Sequence, residues 1–257
     1  MTHTLDSVSA LVQRIHILQA EQSLGQRLIV AIAGAPGSGK STLAEQVCSL
    51  LNEPDRLNAP IPADKSTPGA VAGMQPGDQA QTQTNANESP GTVRATQAVV
   101  VPMDGFHLDN TLLHERGQMA VKGAPQTFDI EGFVALMQRL SRVDDRDVYI
   151  PVFDRSADLS RNAAQCVSAS HSVIIVEGNY LLLQRPGWES LASLFHMRVM
   201  LDVPIEVLEE RLVQRWLDHG LDADAARERA LSNDIPNART VSEESTGAHL
   251  FYKSMRQ

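Results

Sequence analysis

The chain has 257 residues, 42% apolar and 21% charged, which argues against a disordered chain, a collagen or a simple coiled coil. Its formal net charge of −9 disfavours an extended basic face for nucleic acid, although a local loop can hold phosphate inside an acidic protein. Two distant cysteines, Cys48 and Cys166, have no ligand-like spacing to histidines; this argues against a disulfide framework or a structural zinc site and points to a reducing cytoplasm.

In chain order, Leu5, Val8, Leu11, Val12, Ile15 and Leu18 recur at helical spacing and predict an opening amphipathic helix. That segment lacks a basic stretch followed by an apolar block, so no secretory signal is expected, and no apolar run approaches the ~18 residues of a membrane span. The run RLIVAIAG reads as a buried strand ending near Ala33, and Leu43, Val47, Leu50 and Leu51 mark a helix over 41–51. From about 53 to 97 the chain is rich in Pro, Gly, Ala, Gln, Asn, Thr and Asp and has no aromatics. This stretch is expected to be a disordered insertion within a single domain, with a lid or tether as the rival reading. AVVVPMD gives the next strand, IEGFVALMQRL a helix with Phe133, Leu136, Met137 and Leu140 in one stripe, and DVYIPVFDR a short strand or extended segment. SVIIVEG and HMRVMLDVP are apolar strands; Ile205, Leu208, Leu212 and Trp216 share one helical face; 222–231 is a further helix and HLFY a last edge strand. Strands apolar throughout, alternating with helices, predict an α/β fold: a doubly wound, mostly parallel sheet with helices on both faces.

GAPGSGKST, residues 34–42, satisfies G-x-x-x-x-G-K-[ST] with Gly34, Gly39, Lys40 and Ser41 at the fixed places. Backbone N–H groups of Gly34, Ala35, Pro36, Gly37, Ser38 and Gly39, apart from the proline, together with the helix N-terminus that follows, form a cradle for phosphate oxygens. Lys40 reaches the β and γ phosphates, the Ser41 hydroxyl suits Mg²⁺, and Thr42 completes the loop. The preceding strand and following helix are the context this loop needs, so a P-loop NTPase is expected. In an open parallel sheet, ligands bind beyond the carboxyl ends of the strands. Asp104 after VVVPM and Glu177 after VIIV are two acids at such ends, enough for a metal-holding group and a group that accepts a substrate hydroxyl proton.

In order, GAPGSGKST, PMDGFHLDN, KGAPQTFD, PVFDR, EGNYLLL, RWLDHG and NDIPNA resemble the P-loop kinase family that includes uridine kinase, phosphoribulokinase and bacterial-type pantothenate kinase. The sequence is most similar to the fructose-transport-system kinase, or uridine kinase-like ATPase, subgroup. The resemblance spans 28–51 and 99–239. It implies Asp104 as catalytic base, Glu177 as the acid associated with Mg²⁺, Arg211 and Arg215 as lid arginines closing on the phosphates, and Asn237 near adenine. His107, Lys122, Asp129, Asp154 and Arg155 occupy the places these kinases use for their acceptors. Uridine kinase carries an extra acid near the position of Gly123; here there is none, KGAP looks more like the pantothenate kinase version, and PVFDR lacks the tyrosine–histidine pattern seen beside uridine.

The sequence therefore predicts a cytoplasmic kinase that uses ATP and Mg²⁺ to phosphorylate a hydroxyl of a small metabolite, with a sugar suggested by the subgroup. Two alternatives stay open: a nucleoside or pantothenate acceptor, and an ATP-driven regulatory switch with no acceptor. No nucleic-acid or membrane partner is expected, and the resemblance allows a homodimer.

Overall fold

The apolar runs become the centre of a parallel sheet. The structure, a computed structural model, describes residues 3–23, 26–53, 97–142 and 146–253. The insertion expected over 53–97 lies outside the described residues except for its two ends. The strands are β1 (His3–Leu5), β2 (Leu28–Ala33), β3 (Ala98–Pro102), β4 (Val148–Asp154), β5 (Leu159–Val167), β6 (Val173–Gly178), β7 (Met197–Leu201) and β8 (Leu250–Tyr252), and the helices are α1 (Val8–Glu21), α2 (Lys40–Asn52), α3 (Asn110–Glu115), α4 (Ile130–Leu140), α5 (Ile205–Asp218), α6 (Ala223–Arg229) and α7 (Ile235–Glu244). Six strands form one sheet in the order β1-β8-β7-β2-β6-β3, every pair parallel.

The period of two along β2 explains why the whole strand is apolar. Leu28, Val30 and Ile32 face a layer holding Leu11, Val12 and Ile15 of α1 and Leu43, Val47 and Leu51 of α2. Ile29, Ala31 and Ala33 face the opposite layer, which holds Phe133 and Met137 of α4 and Leu208 and Leu212 of α5. Both faces of the strand are covered, so no position tolerates a polar side chain.

Four elements differ from the sequence expectation. Leu5 belongs to edge strand β1 rather than to the opening helix, and β8 sits inside the sheet between β1 and β7 instead of at its edge. A three-residue strand carries too little pattern to be read alone. β5 pairs antiparallel with β4 in a separate hairpin, although most of its side chains are exposed and its sequence shows no apolar alternation. The helix expected over 222–231 is α6 followed by a π-helical turn, Ala230–Asp234, that runs straight into α7. Among the described residues no helix is long and apolar enough to cross a membrane.

Candidate active site

The carboxyl ends of β2, β3, β6 and β7 converge on one rim of the sheet. β2 delivers the loop 34–39, and Gly39 at φ 89° is the N-cap of α2. Only glycine adopts that left-handed conformation cheaply, and it turns the first N–H groups of α2 toward the loop. Lys40 and Ser41 open the helix, and the buried Ser38 holds an N–H···O bond of 3.1 Å to Ala35.

Glu177 lies in β6, alongside β2, and is 5% exposed. The Ser41 hydroxyl donates to its Oε2 at 3.1 Å. Burial pushes the Glu177 carboxyl up from its ordinary range; the Lys40 ammonium opposes this and the negative charge of Asp104 adds to it. The carboxyl is thus a buried acid that favours a nearby cation.

Asp104 lies in a 3₁₀ turn, Met103–Phe106, directly after β3. A Cβ on Gly105 would collide with the backbone of Pro151 in β4, so glycine lets this turn pass beneath the hairpin. Arg155, in the hairpin loop, lies 3.7 Å from Asp104 Oδ2. It pairs with Asp104 rather than with its neighbour Asp154. Asp154 instead organises the loop, accepting from the Ser156 N–H at 3.1 Å, the Ser156 hydroxyl at 2.6 Å and the Ala157 N–H at 3.1 Å, and it pairs with Arg161. His107 Nδ1 lies 2.7 Å from the Asp104 carbonyl. A carbonyl only accepts, so Nδ1 carries the proton and Nε2 keeps its lone pair. The ring packs on Phe128 and Phe153, and burial pulls the His107 pKa down, against the opposing charge of Asp104.

The other acceptor-side candidates are engaged structurally. Lys122 is buried; its Nζ reaches Asn110 Oδ1 and the Asp158 carbonyl, both at 2.6 Å, and Asp158 Oδ1 at 2.9 Å. It thereby fastens the 119–122 turn to the hairpin. Asp129 caps α4 by accepting from the Gly132 N–H at 2.9 Å. Tyr180, beyond β6, donates to the Gly123 carbonyl at 2.7 Å, a support for KGAP that the sequence did not suggest.

The two expected lid arginines lie one turn apart on α5. Arg211 Nη1 points at the carbonyls of Gly37, 3.3 Å, and Ser38, 3.5 Å, and so reaches the phosphate loop. Arg215 is held by Asp234. A cavity of about 260 Å³ opens beside Ala35, walled by Val203, Ile205, Ala238, Val241 and Gly247. Asn237 does not line it: the side chain is buried elsewhere and donates to Asn233 Oδ1 at 3.4 Å. The residue before Ala238 therefore faces Asn233 in the π-helical turn, and the apolar wall comes from its neighbours. Ser245 also lines this cavity, and its buried Oγ has no partner among the described residues.

No family profile matches the sequence. A structure from Silicibacter sp. TM1040, provisionally named a fructose transport system kinase, is 38% identical and superposes with a TM-score of 0.76 over 95% of this chain and 98% of its own. A Schizosaccharomyces pombe protein provisionally named uridine kinase is 29% identical over 90% of this chain and 85% of its own length. The Saccharomyces cerevisiae ATP-dependent kinase YFH7 is 27% identical over 84% of this chain and 89% of its own length.

Proposed function

This chain belongs to the uridine kinase-like family of P-loop kinases and is an ATP-dependent phosphotransferase; from that premise we propose that it phosphorylates a hydroxyl of a small metabolite, with a sugar as the acceptor class, and that one kinase domain does so. The observation that carries this is the pairing of two acids with the phosphate loop: Glu177 bonded to Ser41, and Asp104 at the neighbouring strand end beside Arg155. A pure switch has no need of a second acid at that place. The sugar rests on the name of the Silicibacter relative.

The donor side binds the triphosphate on the backbone of 34–39, with Lys40 against its outer phosphates. The cavity beside Ala35 is the place for the base, where the apolar walls suit a planar ring and the Ser245 hydroxyl gains a partner. Ser41 and Glu177 would hold Mg²⁺: a hydroxyl and a carboxylate are hard oxygen donors, and the buried carboxylate is stabilised as an anion by a cation. When bound, that ion neutralises charge on the phosphate oxygens. Asp104 accepts the proton of the acceptor hydroxyl as its oxygen bonds to the γ-phosphorus and the bond to the β-bridging oxygen breaks, releasing ADP. Arg155 and the Nε2 lone pair of His107 orient the acceptor, and Arg211 and Arg215 stabilise charge on the moving group and exclude water.

The test is ADP release from MgATP against hexoses, pentoses, nucleosides and pantothenate. Strong stimulation by one hexose or pentose is the expected result. A flat response in protein that binds ATP would sink the kinase mechanism, and stimulation by a nucleoside or pantothenate would overturn the sugar.

A further inference from the structure

Arg215 sits in a cluster that the phosphate loop does not explain. Its Nη2 lies 3.2 Å from both carboxylate oxygens of Asp234. The indole N–H of Trp216 donates to the same Oδ2 at 2.6 Å. The guanidinium carbons of Arg215 and Arg229 lie 5.1 and 5.3 Å from the centre of the Trp216 ring. Asp234 is 7% exposed, so its charge is held where solvent screens it little.

Asp234 is the last residue of the π-helical turn Ala230–Asp234. Such turns are uncommon and recur at functional sites because they re-aim side chains that a regular helix would direct elsewhere. The turn is pinned from the acceptor side. Asn233 donates to the Lys122 carbonyl at 2.9 Å, and Arg229 donates to the Ala120 carbonyl at 3.2 Å. Lys122 is in turn bound to Asn110 and Asp158. The carboxylate that grips Arg215 is therefore fixed to the acceptor half of the cleft, while Arg215 rides on α5, whose Arg211 touches the phosphate loop.

Only one nitrogen of the Arg215 guanidinium is used by Asp234; among the described residues Nε and Nη1 make no hydrogen bond. A planar fork held at one corner keeps its remaining donors in a fixed direction, and less conformational freedom is lost when they engage an anion.

We propose that Asp234 is a positioning residue for the reaction: it presets Arg215 to grip the terminal phosphate of the nucleotide, with the orientation set by the acceptor-side anchor of the π turn. This rests on the reading above that Arg215 closes on nucleotide phosphates. Asp234 itself touches no reacting atom, so its effect runs through Arg215. The signature is selective: an interaction with the terminal phosphate affects a triphosphate and not a diphosphate.

The experiment is calorimetric titration of the full chain with MgADP and with the Mg²⁺ complex of the β,γ-imido analogue of ATP. Asp234→Asn keeps the shape and an acceptor for Trp216 but removes the charge. It is expected to weaken binding of the imido analogue about tenfold, as for a lost charge-assisted hydrogen bond, and to change MgADP binding by less than about threefold. Asp234→Glu should recover most of the selectivity. Arg215→Ala should show the same selective loss, and adding Asp234→Asn to it should cost nothing more. Equal losses for both nucleotides, no loss, or an additive double variant would overturn the proposal. Should Asp234→Asn not fold, Arg215→Lys carries the test, because it keeps the charge pair and loses the fork; undiminished selectivity there overturns the proposal. Wild-type protein that binds neither nucleotide would instead overturn the kinase reading beneath it.

Discussion

The phosphate loop and the proposed acceptor side of the cleft hold their polar groups in different ways. The first comes from one continuous stretch, 34–42, whose donors are backbone N–H groups fixed by a strand on one side and a helix on the other. The second is drawn from the turn 103–106, the segment 119–129, the β4–β5 hairpin and the π turn, and its side chains hold one another. Backbone donors are insensitive to most side-chain changes, whereas a side-chain network fails where a single member is lost. A local stretch can also be inherited as a motif, while a network assembled across more than a hundred residues leaves no contiguous signature. Lys122 shows the difference: the sequence offers it as a ligand for substrate, and the structure spends it on Asn110 and Asp158.

The largest effect should come from the donor side. Lys40→Ala is expected to cut ADP release by at least about 10³-fold, the scale of losing a principal charge stabiliser, while melting temperature stays near wild type. Full activity in that variant would break the comparison at its base. Asp104→Asn, on the acceptor side, should keep MgADP affinity in a titration and lower the single-turnover rate about 10²–10⁴-fold, the range for a general base. Loss of nucleotide binding there would mean that the two sides are not separable.

Glu177 belongs to both sides and should separate stability from activity. Burial raises its folded pKa above the unfolded value of 4.5. Its contribution to stability is therefore fully present below pH 4.5 and lost as pH rises through the raised value. Glu177→Gln removes that loss. In nucleotide-free protein with chelator, calorimetry at pH 7 should show a melting temperature about 2–4 °C higher, the shift for ~1 kcal/mol in a domain this size, while turnover falls about 10²-fold. A lower melting temperature would show that the bond from Ser41 outweighs burial.

His107 gives the smallest effect. Its folded pKa is depressed below 6.5. The stability it contributes is present above pH 6.5 and is lost as pH falls through the depressed value, because the unfolded chain takes up the proton first. Denaturant unfolding of His107→Gln should depend less on pH below 6.5 than wild type does, by up to about 1.4 kcal/mol for each unit of displacement. Identical pH profiles would show that the aromatic packing on Phe128 and Phe153 alone sets the role of this ring.

The parts of the fold legible in the sequence are those whose environment is uniform along the chain. β2, β6 and β7 are covered on both faces and read as apolar runs; α4 shows its stripe because one face alone is buried. β5 is not legible in the sequence because its stability comes from hydrogen bonds to β4, which any side chain permits, and β1 is not because three residues cannot show a period. Asp234 and Trp216 stood in view within NDIPNA and RWLDHG, but nothing in either segment says that they meet.

By itself the sequence determined the α/β class, the phosphate loop and the two strand-end acids, because each depends on residue type and spacing within a few positions. The tertiary structure decided which charged groups remain to act: it put Arg155 on Asp104, turned Asn237 toward Asn233, and bound Arg215 to Asp234. Ion pairs and hydrogen bonds act over a few ångströms of space, and separation along the chain carries no measure of that distance until the sheet and its helices bring the partners together.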